Sequence, residues 1–311
     1  VTRAKSVVVP GNHDGVHLGH RALLWLARER VPEAQIVALT FWPHPLALLR
    51  PERAPQAITS CERRLQLLRH AGADDAVVAP FDREYAAQSA EMWATDRLVG
   101  DLNACAVVVG PDYRFGKDRK GSTDLLRSLG LTVIEAGSID VGGERVSSTR
   151  VRSALSDGDV GLASELLGRI HDLTGTVVRG DQRGRTIGFP TANLALENDA
   201  GMVPRDGVYA VVGLVRGERE VMLGAANLGT RPTFGAGRSI EAYFLDTDRD
   251  LYDRELRIGF VARLRDEQKF DGIPSLVAQL GQDVARAREV LAAADRQRWS
   301  WLSWDDSDSM A

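Results

Sequence analysis

Two stretches of this 311-residue chain combine residue types that do chemistry on phosphates. The first is GNHDGVHLGH at 11–20, directly after an apolar run at 6–9 and directly before a helix-like run. Gly11 and Gly15, with Asp14 between them, let backbone approach a ligand closely, and a helix opening at the end of the loop offers unpaired N–H groups to an anion. His17 and His20 are three apart across a glycine, so both can point at one phosphate and stabilise charge as pyrophosphate departs. Metal binding is the competing reading; it needs a third ligand, and the nearby His44 is held between two prolines in FWPHP. Two solvated loop histidines are the bland alternative.

The second stretch is GDQRGRTIGFPTAN at 180–193. Gly180, Gly184 and Gly188, with Arg183 and Arg185, make a loop that can cradle phosphates through backbone N–H groups and positive charge. Pro190 fixes the backbone just before Thr191. Thr191 and Asn193 carry hard oxygen donors at alternate positions, so both can face one Mg²⁺. A glycine-rich hairpin without a ligand is the alternative. Two lesser features accompany these. The run ERVSSTRVR at 144–152 packs three hydroxyls among three arginines, a phosphate clamp if it faces a ligand and a plain helix cap if it does not. Glu241 alternates with apolar neighbours in a strand-like run, free to reach a substrate hydroxyl or to stand on the surface.

The elements that must position these residues fall into two kinds. In the first half, near-continuous apolar runs at 6–9, 36–41, 76–79, 106–109 and 132–134 read as strands buried on both faces. Helical spacing recurs between them at 19–30, 61–72, 90–102 and 122–129, which predicts a doubly wound α/β domain with a parallel sheet. Beyond Gly168 the pattern changes to short β-rich runs at 174–179, 208–215, 220–227, 240–245 and 256–264, divided by turn residues. That predicts an antiparallel barrel or sandwich. A helix over 274–291 follows, with Leu276, Val277, Leu280, Val284, Ala287 and Leu291 on one stripe. The expected domains are 1–168 and 169–311, joined through a short helix at 153–169. The tail at 299–311, rich in Trp and Asp, reads as a docked or disordered end.

Composition excludes several classes. Hydrophobic residues at 44% supply a real core, and Lys+Arg 39 against Asp+Glu 43 leaves no basic field for nucleic acid or an anionic membrane. No apolar run is long enough to span a bilayer, and no basic-then-apolar leader precedes the first strand, so a cytoplasmic protein is expected. Only four of the basic residues are lysines (Lys5, Lys117, Lys120 and Lys269) and none stands in a GxxxxGKS/T string, which excludes a P-loop. Cys61 and Cys105 are too few for a disulfide framework or a zinc site, and read as buried free thiols.

In order along the chain, GNHDGVHLGH, FWPHP, VVVGPDYRFGKDRKG and VSSTRVR resemble the adenylyltransferase domain of bacterial bifunctional riboflavin kinase/FAD synthetases. GFPTAN, GTRPTF at 229–234, IEAYFLD at 240–246, DLY at 250–252 and LRDEQKF at 264–270 resemble the riboflavin kinase domain of the same family. The resemblance implies that His17 and His20 hold the ATP phosphates, that Arg145, Ser148, Thr149 and Arg152 form a mobile second clamp, and that the loop at 110–121, with Asp112 and Phe115, lies near the flavin. It also implies that Glu241 is the general base toward the ribityl 5′-hydroxyl. The chain departs from the family pattern at His13, where Phe is usual, and at Pro10 and Pro111. The expected activity is phosphorylation of riboflavin to FMN followed by adenylylation to FAD, with ATP, Mg²⁺ and flavins as ligands. The alternatives are a riboflavin or flavin-analogue kinase whose adenylyltransferase domain is weakened by His13, and a flavin- or nucleotide-binding protein without turnover. The sequence does not fix an oligomeric state.

Overall fold

The computed structural model describes residues 4–180, 184, 187–230, 238–247 and 249–304. The chain divides into two compact units, Val1–Ser148 and Thr149–Ala311. The first is built on five parallel strands: β1 (Ser6–Pro10), β2 (Gln35–Trp42), β3 (Asp75–Pro80), β4 (Ala104–Val109) and β5 (Thr132–Glu135), in the order β3-β2-β1-β4-β5. β1 is buried along its whole length and has three valines at its centre, while the edge strand β5 is exposed at both ends and carries Thr and Glu there. Crossovers contain α1 (Leu18–Arg30), α2 (Pro45–Leu49), α3 (Cys61–His70), α4 (Arg83–Ala87), α5 (Ala90–Met92) and α6 (Thr123–Ser128), with a π-helical turn set at Trp93–Asp101 after α5. The loops after β1 and β4 leave neighbouring strands toward opposite sides of the sheet. That is the switch point at which an open α/β sheet forms its crevice.

A two-stranded hairpin, β6 (Asp140–Val141) and β7 (Glu144–Arg145), closes the first unit. The junction read as one short helix is two: α7 (Ser148–Asp157) and α8 (Val160–Leu167), broken at Gly158, whose φ of 79° only glycine holds easily. Apart from Ser148, which ends the first unit, both fall in the second unit, where α8 packs on the barrel strands described next, whereas the sequence expectation divided the chain at 168/169.

The second unit is a closed antiparallel barrel of β8 (His171–Val178), β9 (Ala192–Leu196), β10 (Gly207–Val215), β11 (Met222–Thr230), β12 (Arg238–Phe244) and β13 (Glu255–Arg265), in the order β10-β11-β12-β9-β8-β13. Five of these strands match expected runs. β9 was hidden because its first residues carry the chemistry read as loop. α9 (Ile273–Ala293) crosses the barrel, and its apolar stripe divides in two. Ala287 and Leu291 pack into the core with Ala210, Val212, Trp299 and Leu302, whereas Leu276, Leu280 and Val284 line a cavity. Of the Trp-rich tail, Trp299 and Leu302 are docked in this core, and the buried Arg257 donates to the carbonyls of Leu302 and Ser303 while stacking on Trp304. Residues 305–311 lie outside the described residues. The two cysteines are free thiols but only half-buried: Cys61 opens α3, and Cys105 stands near the start of β4, ahead of its buried stretch.

Candidate active sites

In the first unit, the loop after β1 is bent by residues that resist bending. His13 and Val16 hold φ of 49° and 43°, a left-handed conformation that costs a β-branched residue free energy and concentrates at functional sites. Gly15, at φ 80°, faces Ile58 so closely that a Cβ would stand 3.0 Å from it. Gly11 donates its N–H to the Leu39 carbonyl on β2. His17 caps α1, its Nδ1 accepting the His20 N–H at 3.4 Å, so the neutral ring carries its proton on Nε2, ready to donate to an anion. The His17 and His20 rings stack at 3.6 Å, and α1 has no acidic residue in its first turn to neutralise the positive end of the helix.

Burial dominates the electrostatics. It lowers the His17 pKa to about 4, with the neighbouring His13 and the Arg145 charge acting in the same direction, and it holds His20 well below the ordinary value. Both rings are therefore held in the neutral form at neutral pH. His13 is 1% exposed, with Nε2 against the Val9 carbonyl at 2.9 Å and its pKa lowered by burial to about 4.

Asp14 is turned into the fold. Its buried carboxylate accepts from the backbone of Ile58 and Thr59 and from Arg64, so it anchors the loop from behind. Ser148 donates its hydroxyl to the Asp14 carbonyl at 2.8 Å. Arg145 stands exposed on β7, and Ser148, Thr149 and Arg152 occupy the first turns of α7. Asp112 is exposed on the loop after β4. Phe115 is buried in an aromatic cluster with Trp93 and Tyr113, so its ring supports the loop. The physical reason is packing: Gly121 closes over the Phe115 ring, where a Cβ would stand 2.7 Å from it.

In the second unit, register assembles what the sequence separates. Glu241 on β12 lies opposite Asn227 on β11 and opposite Asn193 on β9, so three polar side chains from three adjacent strands share one face. They line a cavity of about 560 Å³. Its remaining wall is largely apolar: Phe189 edge-on to Tyr243 at 5.4 Å, then Phe270, Leu276, Leu280 and Val284. Glu267 also lines it and accepts from Asn227 at 3.3 Å. Arg265 and Asp283 join β13 to α9 at the rim through a two-pronged ion pair. A second cavity of about 340 Å³ is lined by Val177, Pro190, Arg249, Tyr252 and others, and Thr191 belongs to both.

The glycine loop is shaped to these donors. A Cβ on Gly180 would collide with the Asn193 amide at 2.6 Å, and one on Gly184 would strike the Phe189 carbonyl and stand 3.5 Å from the Thr191 hydroxyl. Gly188 turns the chain at φ 86°. Arg183, Arg185 and the string at 231–234 fall outside the described residues. Asn227, Asp283 and, in the first unit, Arg64 were not singled out in the sequence, and Arg265 and Glu267 entered only as members of the LRDEQKF string, without a role. Strand alternation could have found Asn227, but nothing local signals Asp283 or Arg64. Among the described residues no helix is long and apolar enough to cross a membrane, and no group of three His, Cys, Asp or Glu could hold a metal.

A doubly wound unit with a histidine loop at its switch point, followed in the chain by a barrel with two cavities meeting at one threonine, is the architecture of a two-site phosphate-transferring enzyme. Comparison with known proteins narrows this. The FAD synthetase family model matches residues 2–150 and the riboflavin kinase model residues 167–291. The bifunctional riboflavin kinase/FMN adenylyltransferase of Escherichia coli K12 is 40% identical over 290 residues, covering 91% of this chain and 92% of its own. That of Bacillus subtilis 168 is 37% identical over 297 residues, covering 92% of each. A crystal structure described as a macrolide-efflux protein from Streptococcus pneumoniae matches with a TM-score of 0.85 at 33% identity, over 95% of this chain and 96% of that one. The chain belongs to the bacterial bifunctional riboflavin kinase/FMN adenylyltransferase family.

Proposed function

We propose that the chain catalyses two ATP-dependent steps at separate sites: riboflavin and ATP to FMN and ADP, then FMN and ATP to FAD and pyrophosphate. The observation that carries the reading is Glu241 set between Asn193 and Asn227 on the wall of an otherwise apolar cavity that shares Thr191 with a second one. The large cavity suits a flat aromatic ring system with a polyol tail, and the smaller one suits a nucleotide. Glu241 takes the proton of the ribityl 5′-hydroxyl as its oxygen attacks the γ-phosphorus and ADP leaves. Thr191 and Asn193 would hold Mg²⁺, which supplies charge neutralisation on the phosphate oxygens. Their glycine cradle fits such a role, as does the preference of this ion for few protein ligands beside phosphate oxygens. Gly180, Gly184, Gly188 and Pro190 would form the phosphate loop, to which the sequence adds Arg183 and Arg185, outside the described residues.

In the first unit, a phosphate oxygen of FMN attacks the α-phosphorus of ATP. His17 donates from Nε2, with His20 and the N-terminus of α1 beside it, as pyrophosphate departs. Arg145, Ser148, Thr149 and Arg152 would complete the clamp, and Asp112 would meet the flavin. A kinase without adenylylation rests on His13 alone. That ring already finds the Val9 carbonyl and leaves His17 and His20 in place, which favours the two-step reading. Riboflavin, FMN and ATP are the proposed partners, and a cytoplasmic setting, where ATP is plentiful, fits them. Chromatography of riboflavin incubated with ATP and Mg²⁺ tests this. FMN should appear first and FAD follow it; bound flavin with no product would make the chain a binding protein.

A further inference from the structure

Arg64, on α3, is among the largest fully buried side chains of the protein at 1% exposure, yet it belongs to neither phosphate motif. Its guanidinium reaches four points of the backbone and side chains around the histidine loop. Nη1 donates to the Asn12 carbonyl at 3.0 Å and to the Phe41 carbonyl at 3.3 Å, and approaches the Thr40 hydroxyl at 3.5 Å. Nη2 donates to the Asp14 carboxylate at 3.0 Å, and the group lies over the Trp42 ring at 5.2 Å. Asp14 in turn takes the N–H groups of Ile58 and Thr59, and its own carbonyl accepts from Ser148.

Taking a guanidinium and a carboxylate out of water together is costly, and an apolar pair of the same volume would often fill the space as stably. An apolar pair could not tie the Asn12 carbonyl, the Asp14 carboxylate and the end of β2 to one rigid planar fork. We propose that Arg64 is a positioning residue for adenylylation. Through Asn12 and Asp14 it fixes the loop that presents His17 and His20, and through the Asp14 backbone it fixes the point where Ser148 docks. Its positive charge, buried behind the rings, also opposes protonation of His13 and His20, keeping the phosphate-facing group neutral. The proposal rests on the adenylylation reading given above.

Arg64→Lys in the full chain keeps the charge and removes the fork. FAD formation from FMN should then show a KM for ATP raised tenfold or more with kcat within about threefold, because the loop is loosened while the donors remain. Riboflavin phosphorylation, whose residues lie in the other unit, should be unchanged and reports that the chain is intact. A residue that serves only folding would reduce the fraction of active enzyme, lowering the maximal rate at unchanged KM, and that result overturns the proposal. Should Arg64→Lys leave the first unit unfolded, Asp14→Asn loosens the same knot from its other end and should raise the same KM. If both variants fail to fold, the pair is architectural and the proposal is refuted. A wild-type chain that forms no FAD from FMN would remove the reaction itself. A wild type that forms it, beside an Arg64→Lys variant of unaltered KM, removes only the role of Arg64.

Discussion

Replacing His13 with Phe should make the first unit less sensitive to acid, and the size of the effect follows from its burial. The imidazole is 1% exposed, donates from Nε2 to the Val9 carbonyl, and has no partner at Nδ1. It stands edge-on to His20 at 5.0 Å, with His17 stacked beyond and the charges of Arg64 and Asp14 paired nearby. Burial lowers its pKa from 6.5 to about 4. As pH falls, the unfolded chain therefore binds this proton before the folded chain does. The stabilisation is complete above pH 6.5 and is lost progressively toward pH 4. Between pH 7.5 and pH 5 the loss amounts to about 2 kcal/mol from this one group. For a unit of this size that is roughly 4–8 °C in Tm. Phe has no proton to bind, and at pH 7.5 its extra apolar contact offsets most of the lost hydrogen bond, worth about 1 kcal/mol. Calorimetric scans of wild type and His13→Phe at both pH values measure the difference. The variant should lose about 2 kcal/mol less than wild type on acidification. Equal losses in the two proteins would refute the buried neutral imidazole.

A fragment spanning 149–311 should fold and phosphorylate riboflavin alone, because α8 packs on β8 and β13 and every kinase residue lies within it; a folded fragment that binds riboflavin and MgATP without forming FMN would show that the site needs the first unit. Asn193→Ala should raise the Mg²⁺ concentration for half-maximal kinase activity roughly tenfold, the worth of one good polar contact; an unchanged requirement in a magnesium titration would remove Asn193 from the metal. Asp283→Ala leaves Arg265 without its two-pronged partner at the cavity rim and should cost the barrel about 1–3 kcal/mol while raising KM for riboflavin. Urea unfolding and flavin kinetics check both parts, and a variant normal in each would deny the pair its role.

The alternation of buried strands and helices made the first unit legible, since strands as uniformly buried as β1 are largely apolar, and the one buried hydroxyl of β1, Ser6, is bonded to the Leu102 carbonyl. The barrel was legible as strands, with β9 missed because residues that serve chemistry at its start broke the apolar pattern. Short motifs carried His17, His20, Thr191 and Asn193. They could not show that Asp14 faces inward to Arg64 or that Phe115 is packed beneath Gly121, because both depend on contacts far apart in sequence or on a loop doubling back. The LRDEQKF string marked Arg265 and Glu267 as a group, but the pairing of Glu267 with Asn227 and of Arg265 with Asp283 emerges from register and from the placement of α9 over the barrel, which no local pattern encodes.

The central claim is that two chemistries run at two independent sites, and Glu241→Gln tests it most directly. The substitution keeps the side chain's shape on β12 and removes its capacity to accept a proton. FMN formation from riboflavin should fall by about 10²–10⁴-fold, while FAD formation from supplied FMN stays within about twofold of wild type. A Glu241→Gln enzyme that phosphorylates riboflavin at near wild-type rate, or that loses both activities together while remaining folded, would contradict the account.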